Sequence, residues 1–288
     1  MSPAPKSVAI LIVGMTGSGK SRFTNDFLDK VGHKLEERVE VGHTLASQTQ
    51  DVVAITVEDS EETDNYEHIR GHNLVIVDTP GFDDSDWSRP DMEIARKIVN
   101  WIAKSRESNI VIGGFIYLHD ISLDRYNANA KKTQNILVNL CGKDELKRVV
   151  MVTSKWAREL DIAGPELLHS RYDELRTQYW SSLLEQEGVS RAKMRRWNEA
   201  IQGETAFDIV HLILEVANDL MGQSKGELNS FLIQDELSMG MSFEKTQTGS
   251  ALLKYFDPRE WLESLRGFFS RLFGLQRTNI RCSEIPRG

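Results

Sequence analysis

Residues 14–21 read Gly-Met-Thr-Gly-Ser-Gly-Lys-Ser, which satisfies the pattern GxxxxGK[ST] in full. An apolar run from Val8 to Val13 leads into it, and a stretch with helical periodicity follows. The combination dictates a buried strand, a tight loop and a helix, because Gly14, Gly17 and Gly19 permit backbone angles that other residues resist. The loop from Gly14 through Met15, Thr16, Gly17, Ser18, Gly19, Lys20 and Ser21 to Arg22 can wrap a β-phosphate at the positive end of that helix. Lys20 would reach the β- and γ-phosphates, and the Ser21 hydroxyl would ligate Mg²⁺. The pattern predicts a chain that binds a nucleoside triphosphate.

The rest of the composition bounds the setting. A chain of 288 residues forms one large domain, or one domain with an appendage. Its net charge of −8 argues against a general nucleic-acid-binding surface. Cys141 and Cys282 are too few for a disulfide framework, which favours a reducing, cytoplasmic setting. The seven histidines are scattered without the spacing of a zinc site. The residues before the first strand hold no long apolar core, so no signal peptide is expected, and no apolar stretch reaches the ~18 residues that read as a membrane span.

Strands and helices alternate along the chain. The pattern predicts strands over 7–13, 50–58, 73–78, 109–118 and 148–153, with a last strand over 201–205. Helices are predicted over 20–31, 91–104, 129–141, 165–187 and 207–221, and a further one over 224–237. The segment 32–50 is polar and punctuated by glycine, the pattern of a mobile loop, and a basic patch lies at Arg191, Lys193, Arg195 and Arg196. This order specifies an α/β three-layer sandwich around a mostly parallel sheet, with ligands at the carboxyl ends of the strands. The domain is placed at 1–222, with a C-terminal helical extension at 223–288.

Two more segments fit a nucleotide site. Leu74 to Val77 is an apolar strand that ends in Asp78-Thr79-Pro80-Gly81. An Asp there can hold Mg²⁺ through its water shell, and Gly81 can offer its N–H to a γ-phosphate oxygen. In the polar loop, Thr49 is placed to ligate Mg²⁺ only when the γ-phosphate is present, with Ser47 and Thr44 as alternatives.

Together these segments resemble the translation-factor class of GTPases, and most nearly its septin-like branch of immunity-associated GTPases and chloroplast-import Toc receptors. Tyr117 to Ser122 and Leu140 to Asp144 are similar to fungal G-domain proteins of that branch. The resemblance covers about residues 7–221, and more loosely to about 252. It implies a Mg²⁺-dependent GTPase that binds GTP and GDP and forms a nucleotide-dependent homodimer. It also implies that Thr153, Ser154, Lys155 and Trp156 flank the base, and that Thr205 and Ala206 offer backbone N–H groups to it.

The chain departs from the family twice. Where the base-reading motif carries an Asp that accepts from guanine, this chain has Ala157, with Asp161 four residues on, so ATP and ADP stay open as ligands. Where Ras-like enzymes carry a water-orienting Gln, this chain has Phe82, which with the aromatic tail leaves a non-hydrolysing nucleotide-binding switch or scaffold open as a further reading. Replacement groups are Thr49, His43, Asp83, Asp84, Arg125, His119 or a residue of a partner, and the catalytic set is Lys20, Thr49 and Gly81.

The tail has its own signal. Trp261, Leu262, Leu265, Phe268, Phe269, Leu272 and Phe273 form an apolar stripe at helical spacing. It suits a helix packed on the domain, a peripheral membrane contact through 257–274, or a partner surface.

Overall fold

The computed structural model describes residues 6–32, 51–57, 61–82, 91–156, 165–186, 189, 191–224 and 226–254. The chain divides into two compact units, Met1–Leu252 and Leu253–Gly288, and only the first two residues of the second are described. The tail stripe and the loop carrying His43, Thr44, Ser47 and Thr49 lie outside the described residues, as do Asp83, Asp84, Ala157 and Asp161.

Six strands form one sheet in the order β2-β3-β1-β4-β5-β6. They are β1 (Ser7–Gly14), β2 (Val53–Val57), β3 (Asn73–Asp78), β4 (Ile110–Asp120), β5 (Val149–Ser154) and β6 (Lys193–Arg196). All neighbours pair in parallel except β2, which runs antiparallel to β3. The central strand β1 is buried on both faces, which is why it reads as an unbroken apolar run. Ala9, Leu11 and Val13 face one core; Val8, Ile10 and Ile12 face the other.

Helices fill both layers. α1 (Lys20–Lys30) sends Phe23 and Phe27 into the second core, and α6 (Ala206–Gln223) sends Ile209, Val210, Ile213 and Leu214 beside them. The first core takes Ile94 and Ile98 of α3 (Asp91–Glu107), Ile136 and Leu140 of α4 (Ala128–Cys141), and Leu168 of α5 (Pro165–Glu174). A short α2 (Glu61–Asp64) connects β2 and β3. The predicted three-layer α/β architecture is the one observed.

Three predicted elements differ. The helix placed over 165–187 widens at Leu175–Tyr179, where Trp180 N–H donates to Leu175 O at 2.7 Å, and ends there. Trp180 is then fully buried, and the chain folds back so that Leu184 pairs with Ala192. The last strand is Lys193–Arg196, the basic patch itself, and not 201–205, which is a turn. As the outer strand of the sheet, β6 is only half-buried and carries no apolar run, and its cations discourage edge-to-edge pairing. The helix predicted over 224–237 is confined to α7 (Leu232–Ser238), and α8 (Gln247–Leu253) follows.

Residues 223–252, which the sequence assigns to the extension, belong to the first unit. The extended stretch before α7 is fastened at the end of the sheet where β5 begins. Arg148, 1% exposed, donates to Glu145, Ile112 O and Asn229 O at 2.6–2.8 Å. Its guanidinium lies 3.7 Å from the ring centre of Phe231, which meets Phe115 edge-on. No helix among the described residues is long and apolar enough to cross a membrane.

Candidate nucleotide-binding site

The strand ends converge at Gly14, Asp78, Asp120, Ser154 and Arg196. β1 sits between β3 and β4, so the chain leaves it toward opposite sides, the crevice where open α/β sheets bind ligands. The glycine-rich loop occupies it. Gly19 caps α1 at φ 98°, without a side-chain cap and with no acidic residue in the first turn. The positive end of α1 therefore lies at the loop with no acidic side chain to offset it. Lys20 Nζ lies 3.0 Å from Met15 O and 3.3 Å from Gly14 O, which folds the ammonium across the loop. Thr16 Oγ1 and Ser18 Oγ are buried and make no hydrogen bond among the described residues. Such hydroxyls suit phosphate oxygens. Arg22 differs: its side chain is 72% exposed beside Asp26, so only its backbone belongs to the loop.

The second phosphate segment lies against the first. Thr16 N–H donates to Phe82 O at 2.7 Å, and Phe82 N–H to Gly14 O at 3.2 Å. A Cβ on Gly81 would come within 2.5 Å of Thr16 Cα, so only glycine allows this approach. Thr79 Oγ1 donates to Ile12 O, fixing the end of β3 beside β1. Asp78 is buried there, and Ser21 Oγ donates to its Oδ2 at 2.6 Å. A hydroxyl and a carboxylate on adjacent elements are hard oxygen donors that fit Mg²⁺, which keeps most of its waters. Phe82 is buried in the core and has no polar group to orient water.

The base end is less as the sequence suggests. Ser154 Oγ donates to Ser18 O at 2.7 Å, which ties β5 to the phosphate loop across 136 residues. Thr153 is buried, and its Oγ1 accepts from Trp156 Nε1 at 3.0 Å. Trp156, assigned to the base face, turns its ring into the core against His169 and Tyr172. Lys155 stays half-buried at the surface, at φ 64°, with Nζ 2.5 Å from Asp120 Oδ2. Thr205 and Ala206 open α6, and their N–H groups are taken by Asp208 Oδ2 at 3.0 Å and Glu199 Oε1 at 2.7 Å.

With β6 relocated, the loop directly after the last strand begins at Trp197. Trp197 N–H donates to Thr153 O, and its ring packs on Phe23 of α1. A Cβ on Gly19 would stand 3.2 Å from that ring, so the indole abuts the phosphate loop. Its Nε1 donates to Glu199 Oε1 at 2.6 Å. Glu199 is thus an exposed carboxylate steered by two donors through one oxygen. Sequence reading missed this pair, because the signal that would have found it is the position of β6. Of the groups offered for water, His119 is buried among Tyr126 and Trp180, and burial lowers its pKa to about 4. Arg125 is exposed on the loop after β4.

Residues 8–158 match the model of the AIG1 family. That is more than half of the chain. The chain belongs to the AIG1 family, and with it to the P-loop GTPases. No protein of curated function matches its sequence. Among solved structures, it is similar to Toc33 from Arabidopsis thaliana in complex with GDP and Mg²⁺, at 17% identity and a TM-score of 0.50, over 74% of this chain and 85% of that one. Toc33 with Mg²⁺ and GMPPNP gives 18% identity and 0.51 over 75% and 86%. A structure of the chloroplast translocon components Toc33 and Toc159, concerned with dimerisation and GTPase activity, gives 16% and 0.52 over 74% and 84%. These likenesses establish the shared fold of this AIG1 member.

Proposed function

We propose that this chain is a Mg²⁺-dependent GTPase switch of the septin-like branch that hydrolyses GTP by direct attack of water. The observation that carries the reading is the meeting of Lys20 and Ser21, at the start of α1, with Asp78, at the end of β3, at the sheet's switch point. When bound, Mg²⁺ supplies charge neutralisation to the β- and γ-phosphates. Ser21 and Asp78 would hold the ion, and Lys20, now at the loop carbonyls, would reach the phosphates. Gly81 would offer its N–H to the γ-phosphate, and Thr49 is assigned to Mg²⁺ by its place in the sequence alone.

Dimerisation is named as important for the GTPase activity of Toc33. We extend it to this chain: with Phe82 buried, a second copy supplies the missing polar group, and the exposed Arg125 is the candidate. Glu199 takes the place of the base-reading Asp, accepting from guanine through the oxygen that Trp197 and Ala206 leave open.

Ala157 favours a second reading, an NTPase of relaxed base choice that also hydrolyses ATP. Titration of nucleotide-free protein with GTP and with ATP in Mg²⁺, with phosphate release followed in parallel, separates the two. The GTPase reading expects a preference for GTP of about a hundredfold or more, the scale of a hydrogen-bonded base site. Comparable binding and turnover of ATP defeats it, and phosphate release no faster than from Lys20→Ala defeats both.

A further inference from the structure

The carboxyl ends of β4 and β5 carry an ion pair that the phosphate chemistry does not use. Lys155 follows β5 at φ 64°, a conformation that a residue with a side chain adopts rarely. Its Nζ lies 2.5 Å from Asp120 Oδ2, at the end of β4. The Asp120 side chain is only 11% exposed, and that of Lys155 26%. The other oxygen of Asp120 accepts Ser122 N–H at 2.9 Å and Ser122 Oγ at 2.6 Å, which closes the turn that begins the loop 121–127. Arg171 holds the same loop from α5 by donating to Ile121 O and Ser122 O. One residue before Lys155, Ser154 is bonded to Ser18 of the phosphate loop. A single carboxylate therefore joins the lysine beside the phosphate loop to the loop that carries the exposed Arg125.

We infer that Asp120 is a positioning residue for nucleotide affinity: one oxygen fixes Lys155 beside the phosphate loop while the other folds the loop 121–127. The inference rests on the reading of Lys155 as a nucleotide contact. Both oxygens of Asp120 are engaged, so it acts through the lysine and does not read the base. A lysine is long and flexible, and one held beforehand loses less freedom when a ligand arrives. The charge-assisted bond in a half-buried setting is strong enough to hold it. The effect therefore falls on how long nucleotide stays, and not on cleavage within the saturated complex.

Release of a fluorescent GDP analogue (mant-GDP) from the full chain tests this. Asp120→Asn keeps the size, and its carbonyl still accepts from Ser122, but it turns a donor toward the ammonium. Release is expected to be about tenfold faster or more, the usual scale for losing a hydrogen bond to a charged group. In a Lys155→Ala background the same substitution adds nothing, because its effect runs through the lysine. Ser122→Ala leaves the carboxylate on Lys155 and leaves release unchanged; melting curves confirm that each variant folds. Unchanged release from Lys155→Ala overturns the reading of Lys155 itself. Fast release from Lys155→Ala with unchanged release from Asp120→Asn overturns the inference alone. So do additive effects in the double variant, or a Ser122→Ala effect as large as that of Asp120→Asn.

Discussion

At the scale of single residues, Glu199 and His119 show how little a side chain's type says without its surroundings. Glu199 is an ordinary acidic residue in sequence, yet Trp197 Nε1 and Ala206 N–H hold one of its oxygens beside the loop that follows the last strand. If that carboxylate reads the base, Glu199→Ala lowers the preference for GTP over ATP by about tenfold or more, the scale of a lost hydrogen bond to a charged group. Competition binding measures it, and an unchanged ratio removes Glu199 from the base site. His119 makes the opposite point. Burial lowers its pKa to about 4, against an ordinary value of 6.5, so the fold contains the neutral ring. The unfolded chain binds the proton first, and stability that is full above pH 6.5 is lost as pH falls toward 4. The loss by pH 4 is about 3 kcal/mol, from the size of the shift. Urea unfolding of the wild type and of His119→Gln should show that difference between pH 7 and 4, and parallel pH profiles would contradict it.

The elements were read with uneven success, and the reason lies in where each sits. β1 and β3 are interior strands, so their runs Val8–Val13 and Leu74–Val77 are apolar throughout and stand out in the sequence. β6 is an edge strand of Lys-Met-Arg-Arg, which pattern alone assigns to a basic surface. That one misplacement moved the base-side loop from Trp197 to residue 204. The stretch between α6 and α7 is similar. Its described residues form no regular element, yet Phe231 is fully buried on Phe115 under the Arg148 guanidinium. Phe231→Ala is expected to lower stability by about 3–5 kcal/mol, as for other buried aromatic truncations. Denaturant unfolding measures it, and a change below about 1 kcal/mol, typical of exposed positions, would show that the stretch is not part of the core.

For the whole molecule, the sheet order determines what meets what. Ser21 and Asp78 are 57 residues apart and Ser154 and Ser18 are 136 apart; the first pair exists because β3 lies beside β1, and the second because β5 lies one strand beyond β4 on the other side. The same arrangement leaves Phe82 in the core and Arg125 outside, the basis for proposing that turnover depends on a second copy. Phosphate release per mole of protein should then rise with protein concentration in excess GTP, and Arg125→Ala should flatten the rise. A specific activity that is constant with concentration would mean that one copy suffices.

What the sequence determined by itself is the phosphate half of the proposed site. Glycine spacing, the Lys-Ser pair and a strand ending in Asp-Thr-Pro-Gly are local patterns whose chemistry lies within a few bonds of the backbone that displays them. The tertiary structure alone supplied the residues proposed for the base half. Which way the Trp156 ring turns, which carboxylate Trp197 steers and which partner Lys155 finds depend on strand neighbours remote in the chain. Side chains so placed respond to packing and burial at the sheet's end, and no local spacing encodes those.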